Sequence, residues 1–294
     1  MRKLPNGLVE PTLLAQLPIS AYHVSLAVDG DVVYLLSQKA AFKLIAGKPA
    51  QGIELDLGVG SVLTHSGFVF WSKGRILEAP KAGGLTREIA RFPHQPQYLV
   101  ASPNAFAWID LSGDGAFTIQ TLENRRPRPL VASQRELSGL TMIGDAVYFI
   151  DRPTDASYRF GMVRTSGGLP EYGVAHPGRR PSMLAAAEDV YYYDLEKSEI
   201  RRLVSGVARE ETVLEGFVCS PIQVSTQIYC GCVEGLFEVG KTTRQPRVLY
   251  PSRAGSITAI ASNEKMVAWA ADLGGEQVGV YVLPTRGATT DHDP

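Results

Sequence analysis

Short apolar runs, separated by turns that contain glycine, recur along the whole chain. Residues 61–93 are the clearest example, and they indicate four strands, at 61–65, 68–72, 75–79 and 86–92. β-Rich runs that alternate with glycine turns at this spacing are typical of antiparallel hairpins. This stretch therefore predicts one four-stranded antiparallel sheet.

An aromatic residue marks the second strand of each such unit. Successive markers are roughly 37 to 44 residues apart, the period expected of a four-stranded propeller blade. We interpret the rings as packing between blades, because large rings with one polar atom suit that position; stacking on a sugar is the alternative. The repeat predicts an all-β fold, a seven-bladed β-propeller of four-stranded blades. Its markers are Tyr34, Trp71, Trp108, Tyr148, Tyr192, Tyr229 and Trp269.

The two ends of the chain complement each other. The last repeat, residues 256–285, contains only three predicted strands, whereas residues 11–18 resemble the fourth strand of other repeats, such as 86–93. We expect the N-terminal strand to complete the last blade and close the ring. Closure of this kind removes exposed sheet edges, which otherwise pair with other chains.

The repeats use nearly all of the chain and predict a single domain over residues 11–285, with a flexible lead-in at 1–10 and a disordered tail at 286–294. Blade 4 is the longest. Its extra residues, 152–159, indicate an insertion between its second and third strands.

Charge and hydropathy exclude some classes of protein. The formal net charge of −1 argues against bulk attraction to nucleic acid or to membrane surfaces. No apolar run approaches the length that spans a bilayer, so we expect no membrane insertion. The first residues lack the apolar core of a signal peptide, which predicts a cytoplasmic protein or a mature exported form. We expect a monomer.

The blade at 61–93 resembles the repeat of bacterial propellers of the YWTD and TolB-like groups. The resemblance rests on Trp71 in the second strand, Gly74 in the following turn, Ile76 in the third strand and Gly83-Gly84 in the last turn. The chain has no YWTD tetrapeptide, and YWTD propellers have six blades. The resemblance implies binding of a ligand or protein more often than catalysis.

Basic residues are concentrated in the segments that join the fourth strand of one blade to the first strand of the next. Such segments gather on one face of a propeller, and loops on a rigid scaffold commonly carry function. Arginine is suited to bidentate capture of carboxylate or phosphate. Alternatively, these residues are solvated and paired with local carboxylates such as Glu136 or Asp189. The predicted ligand-binding residues are His23, His94, Arg135, His176, Arg179, Arg180 and Arg253.

Residues 110–115 match the first half of a calcium loop, which needs further oxygen ligands to be complete. Thr118 and Thr121 occupy the two positions at which a completing acidic residue would fall. We therefore predict a hairpin turn in which Asp and Gly supply the backbone angles.

Three cysteines lie close together in the sequence. Cys230 and Cys232 share one face of a predicted strand, so they could bind a soft metal with a third ligand. Cys219 could instead form a disulfide with Cys232 in an exported protein. We favour a third interpretation, that all three are small buried apolar residues.

The chain lacks the GxSxG, HExxH and phosphate-loop motifs. The predicted channel mouth offers hydroxyls and amides instead of inward carboxylates. We predict no catalytic residues, no metal and no cofactor. The predicted function is a non-enzymatic binding or scaffold module that recognises a protein partner or a small anionic or acidic ligand, and not nucleic acid. The alternative is a hydrolase or lyase that acts on a polymer, with its cleft on the same face.

Overall fold

The computed structural model describes residues 10–20, 24–37, 40–53, 61–63, 67–72, 74–91, 96–102, 105–123, 126–179, 181, 184–204, 206–216, 218–232, 234–241, 243–251 and 255–285. The predicted tail, and all of the predicted lead-in except Glu10, lie outside these residues. Within the described part, no helix is long and apolar enough to cross a membrane.

Strand β1 spans Thr12–Leu17. The strands of blades 1 to 3 are β2 (Ser25–Asp29), β3 (Val32–Leu36), β4 (Ala41–Leu44), β5 (Gln51–Ile53), β6 (Ser61–Leu63), β7 (Gly67–Ser72), β8 (Arg75–Pro80), β9 (Arg87–Arg91), β10 (Pro96–Ala101), β11 (Phe106–Leu111), β12 (Phe117–Glu123) and β13 (Arg126–Ser133).

Blade 4 contains β14 (Leu137–Ile143), β15 (Ala146–Thr154), β16 (Ser157–Arg164), β17 (Glu171–Tyr172) and β18 (His176–Pro177). The strands of blades 5 to 7 are β19 (Leu184–Ala186), β20 (Val190–Asp194), β21 (Glu199–Val204), β22 (Arg209–Leu214), β23 (Ile222–Val224), β24 (Ile228–Cys232), β25 (Gly235–Val239), β26 (Pro246–Pro251), β27 (Ile257–Ser262), β28 (Met266–Gly274) and β29 (Gln277–Pro284).

Hydrogen bonds join these strands into seven antiparallel sheets among the described residues: β2–β5, β6–β9, β10–β13, β14–β18, β19–β22, β23–β26, and β27–β29 with β1. The sheets are the blades of a seven-bladed β-propeller, which confirms the predicted fold. In blades 1 to 3, 5 and 6, the strands follow the order of the chain, as expected of strands joined by short hairpins.

The N-terminal strand completes the last blade, as predicted. Strand β1 pairs antiparallel with β29, and its register places Thr12 opposite Val282 and Leu17 opposite Val278. The final order is β1-β29-β28-β27, so the first strand of the chain is the outer strand of its last blade.

The chain consists of two compact units. Unit 1 is Met1–Glu54 with Val218–Pro294, and unit 2 is Leu55–Phe217. In unit 1, Val33 and Leu35 of blade 1 are buried in one apolar cluster with Ala268 and Val280 of blade 7. Neighbouring sheets within this unit therefore bury their apolar faces against each other. A sheet with an apolar face needs such a partner to shield that face from water.

The marker aromatics pack between blades. In unit 1, the Trp269 ring lies 5.4 Å from the Tyr250 ring of blade 6, measured between centroids. In unit 2, Trp108 of blade 3 shares a cluster with Val69 and Ile76 of blade 2. Trp108, Trp269 and Tyr192 are fully buried, which confirms the packing role.

Blade 4 differs from the prediction at residues 152–159. They are not an insertion between strands, because β15 continues to Thr154, β16 begins at Ser157, and these two residues pair. The extra residues lengthen one hairpin. The fourth strand of blade 4 is divided into β17 and β18, which both pair with β16.

Candidate functional site

A cavity of about 830 Å³ opens in unit 2, where parts of blades 3, 4 and 5 converge. Its lining includes the β15–β16 turn, the segment that follows β18, and the β20–β21 turn. The segment after β18 joins the outer strand of blade 4 to the inner strand of blade 5, the type of connection in which we predicted the site. The volume falls within the range of about 300–1,000 Å³ that small-molecule sites commonly have.

Arg179 is the predicted site residue that lines this cavity. Its backbone N–H donates a hydrogen bond to Oε1 of Glu196, at 2.9 Å. Its side chain is exposed, and no carboxylate pairs with its guanidinium among the described residues. The backbone of Arg179 is therefore fixed, while the charged group remains available to a ligand.

Local hydrogen bonds position the segment that carries Arg179. The Gly178 N–H donates to the carbonyl of Ala156 in the β15–β16 turn, at 2.9 Å. Gly178 has a φ of 102°, a left-handed conformation that favours glycine. On the other side, the Asp194 carboxylate accepts the backbone N–H groups of Glu196 and Lys197, at 3.1 and 3.2 Å, which orders the turn that presents Glu196.

Arg152 is the second guanidinium of the cavity, and its charge is already paired. Its Nη1 lies 3.2 Å from Oε2 of Glu136, and its Nη2 donates to the carbonyl of Asp155 at 2.7 Å. The sequence left open that basic residues on this face pair with local carboxylates such as Glu136, and Arg152 forms such a pair. Asp155 and Glu196 add two carboxylates to the lining, so the cavity carries balanced charge.

Inner strands β10 and β14 contribute Tyr98 and Gly139 to the lining. Each strand has a bulge at the same place, because the register shifts after Gln97 in β10 and after Ser138 in β14. Tyr98 has a φ of 52° and Gly139 a φ of 60°. Bulges often occur beside sites, where they redirect a side chain.

His176 does not line the cavity. Its Nε2 lies 2.5 Å from Oε1 of Glu210 in blade 5, and its ring stacks on Tyr158 at 5.3 Å between centroids. Glu210 also accepts a 2.5 Å hydrogen bond from the Tyr192 hydroxyl, and its Oε2 lies 3.1 Å from Nη1 of Arg201. His176 thus belongs to a polar cluster that joins blades 4 and 5.

Burial and the neighbouring carboxylate determine the ionisation of the tyrosines in this cluster. Burial raises the pKa of Tyr192, and the hydrogen bond to Glu210 raises it further. Burial likewise raises the pKa of Tyr158, and the charges of Asp194 and Glu210 add to the effect. Both hydroxyls therefore stay protonated at neutral pH and can act as hydrogen-bond donors.

Of the remaining predicted site residues, one lies outside the cavity lining and four lie outside the described residues. Arg135 is exposed between β13 and β14, does not line the cavity, and donates its backbone N–H to the Ser133 hydroxyl at 3.0 Å. His23, His94, Arg180 and Arg253 lie outside the described residues. Arg179 is thus the member of the predicted set that the described structure places in the cavity.

Residues 110–115 form the hairpin turn that we predicted. The Ser112 N–H donates to the Ala116 carbonyl at 2.9 Å, and Oδ1 of Asp114 accepts the Ala116 N–H at 3.2 Å. Gly115 has a φ of 83°, which the turn requires. In the part of the chain that the structure describes, no group of three or more His, Cys, Asp or Glu residues is arranged to hold a metal ion.

Cys219 and Cys230 are buried, as the favoured interpretation expects, but they are also joined to each other, which neither that interpretation nor the Cys219–Cys232 alternative predicted. Cys219 forms a disulfide with Cys230 and not with Cys232, and its Cα lies 5.3 Å from that of Cys230, an ordinary separation for a disulfide. The Ser220 N–H donates to the Gly231 carbonyl at 2.9 Å, which holds the segment before β23 against β24. Cys232 is a free, partly exposed thiol.

Sequence reasoning missed Tyr98, Arg152 and Glu196 as parts of the cavity. Arg152 fell within the residues assigned to an insertion, although a longer hairpin on the predicted face was a signal that they line the site. Tyr98 could have been found by aligning the first strands of blades 3 and 4, since it occupies the position of Gly139. Glu196 had no signal beyond its place in a turn.

No protein-family model matches the chain, and no curated protein matches it. Several solved propeller structures are similar to the chain. The WD40 β-propeller domain of Doa1 has 12% sequence identity and a TM-score of 0.64, with 92% of this chain and 96% of that chain covered. BamB from Moraxella catarrhalis has 12% identity and a TM-score of 0.54, with 88% and 84% covered.

A chain of the nidogen/laminin complex is also similar, with 13% identity, a TM-score of 0.53, and 75% of this chain and 90% of that chain covered. Identities this low show a shared fold and nothing finer. By its fold, the chain is a β-propeller repeat protein.

Proposed function

We propose that the protein is a non-enzymatic binding or scaffold module that captures an acidic group of a protein partner or small ligand at the unit 2 cavity. One observation carries the proposal: the exposed Arg179 guanidinium lines a cavity of ligand size and has no acidic partner among the described residues. A guanidinium binds a carboxylate through two parallel, charge-assisted hydrogen bonds, which are among the stronger polar contacts in proteins.

Two further points support this function. Local bonds fix the backbone that carries Arg179, so a ligand would not have to order the loop on binding, and a smaller entropic cost favours affinity. The similar nidogen/laminin chain belongs to a complex of two proteins, and a protein partner is therefore included in the proposal. Arg135, His23, His94, His176, Arg180 and Arg253 remain predictions as ligand-binding residues.

The finer relationship is also a proposal. We propose that the chain is related to the bacterial YWTD and TolB-like propellers. The repeated Gly-Gly turns support it, since Gly83-Gly84 and Gly167-Gly168 adopt positive φ angles at equivalent turns of blades 2 and 4.

The proposal predicts that Arg179→Ala weakens binding of an acidic probe. The probe is a set of capped hexapeptides that contain one glutamate, and titration calorimetry measures the dissociation constant. We expect a loss of about tenfold to a hundredfold, the range for a hydrogen bond to a charged group. The melting temperature should stay within about 1 °C of the wild type, since surface substitutions away from packing have small effects.

Arg126→Ala is the matched control, because Arg126 is also exposed, has no paired carboxylate among the described residues, and does not line the cavity. Equal loss of binding in the two variants would reduce the effect to overall charge and contradict the proposal. A large fall in the melting temperature of Arg179→Ala would show a structural role instead.

A further inference from the structure

Tyr98 adopts a backbone conformation that tyrosine rarely takes. Its φ of 52° lies in the left-handed region, where a Cβ atom crowds the following carbonyl oxygen. A residue other than glycine persists in this region only when its surroundings impose the conformation, and such residues cluster at functional sites.

The bulge of β10 imposes the conformation on Tyr98. The equivalent bulge of β14 has Gly139 at the corresponding position, with a φ of 60°. The same local geometry is thus built once with glycine, which tolerates it, and once with tyrosine, which does not. The bulges of β10 and β14 both take the left-handed angle at this position, and the bulge of β14 takes it without a side chain.

Burial does not compensate for the strain at Tyr98. The residue is 44% exposed, whereas the marker aromatics Trp108 and Tyr192 are fully buried. Tyr98 lines the cavity that also contains Arg179. A strained and exposed ring at a cavity is placed to contact something that enters the cavity.

We propose that Tyr98 is the apolar half of the binding site, and that the ligand is an extended peptide segment in which an acidic side chain adjoins an apolar one. The inference deepens the proposed function and depends on it: Arg179 would take the carboxylate, and Tyr98 the apolar neighbour. Leu195, which is 52% exposed, lines the cavity together with Pro177 and Pro181 and extends the apolar surface.

The charge of the cavity favours such a peptide over a polyanion. Asp155 and Glu196 lie in the same lining as Arg152 and Arg179, and Arg152 is paired with Glu136. The two carboxylates repel a phosphate or another multiply charged group more strongly than they repel a single carboxylate. A single carboxylate needs only Arg179 as its partner. Neighbouring acidic and apolar groups are what one dipeptide unit supplies, and tyrosine offers a large contact area with few rotamers to order.

The test uses the full chain and a library of capped hexapeptides with glutamate fixed at the third position and every side chain at the fourth. We expect the wild type to enrich leucine, phenylalanine and proline at the fourth position. Tyr98→Gly should weaken the best peptide about tenfold and abolish the preference, and should also raise the melting temperature by about 2 °C, because glycine relieves the strain. Tyr98→Phe should bind as the wild type does.

The outcomes separate this inference from the function on which it rests. If Arg179→Ala loses binding but Tyr98→Gly keeps both affinity and preference, the proposed function stands and the role of Tyr98 is wrong. If Tyr98→Gly lowers the melting temperature, the ring is a packing residue and the inference fails. If the wild type enriches no peptide, or binds glutamine in place of glutamate equally well, both proposals are contradicted.

Discussion

At the scale of single residues, the Cys219–Cys230 disulfide joins the segment before β23 to strand β24. It closes a short loop, with a sequence separation of 11 residues. Cross-linking a loop of this size removes conformations from the unfolded chain and contributes about 3 kcal/mol in the loop-entropy account.

We expect thiol titration of the denatured, unreduced protein to detect one free cysteine, Cys232, and titration after reduction to detect all three. Reduction should lower the free energy of unfolding by about 3 kcal/mol, measured by urea denaturation. The Cys232→Ser variant is the control and should behave as the wild type does in urea. Three reactive thiols in protein purified under oxidising conditions would contradict the pairing.

Residue types alone could not show which charges are available to a ligand. Arg152, Arg179 and Arg135 are equally basic in the sequence, but Arg152 is paired with Glu136, and Arg135 lies outside the cavity lining. The difference arises from contacts between residues distant in sequence, such as that of Arg179 with Glu196. Sequence spacing carries no information on those contacts without the register of the blades.

At the scale of strands, opposite charges recur across the outer two strands of several blades. Glu78 faces Arg87 in blade 2, Arg202 faces Glu211 in blade 5, and Glu238 faces Arg247 in blade 6. Each pair forms an ion pair, and directly opposed charges of this kind contribute roughly 0.2–1 kcal/mol each. These contacts fix the register of the outer strands, which have the least apolar burial to define it.

The polar cluster around Glu210 joins strand β18 of blade 4 to blade 5. His176→Ala removes the contact with Glu210 and the stacking on Tyr158, and leaves a partly buried carboxylate with fewer partners. We expect the free energy of unfolding to fall by about 1–3 kcal/mol, measured by urea denaturation. The affinity for glutamate peptides should fall less than it does in Arg179→Ala.

Arg164→Ala is a suitable comparison, since it removes an ion pair between two exposed residues, Arg164 and Asp145, and should cost less than about 1 kcal/mol. If His176→Ala keeps its stability but loses peptide binding, His176 acts on the ligand directly, as predicted from its position in the sequence.

At the scale of the whole molecule, the sequence predicted the seven blades and their closure, because both follow from local patterns. An aromatic marker and glycine turns repeat in every blade. The register of the strands is also determined locally, because a slip of one residue would expose the apolar face of a strand. The lone strand at 12–17 and the three strands of the last repeat complement each other without any tertiary information. The divided fourth strand of blade 4 was not predicted, although Gly173, a residue type that weakens strands, lies at the break between β17 and β18.

The cavity could be predicted only in part, for a related reason. It is built by three blades at once, from a strand bulge, a lengthened hairpin and a connecting segment. The connecting segment was recognised because its place in the repeat is regular. The bulge and the lengthened hairpin differ from the other blades. The pattern that the blades share therefore could not predict the structure of these two features.

The central claim is that the unit 2 cavity around Arg179 is the binding site, and hydrogen exchange with and without the best glutamate hexapeptide tests it most directly. We predict slower exchange in fragments that cover residues 152–158 and 177–179, with no change in residues 246–251 of β26. Slower exchange confined to segments outside the cavity lining, with residues 152–158 and 177–179 unchanged, would contradict the account.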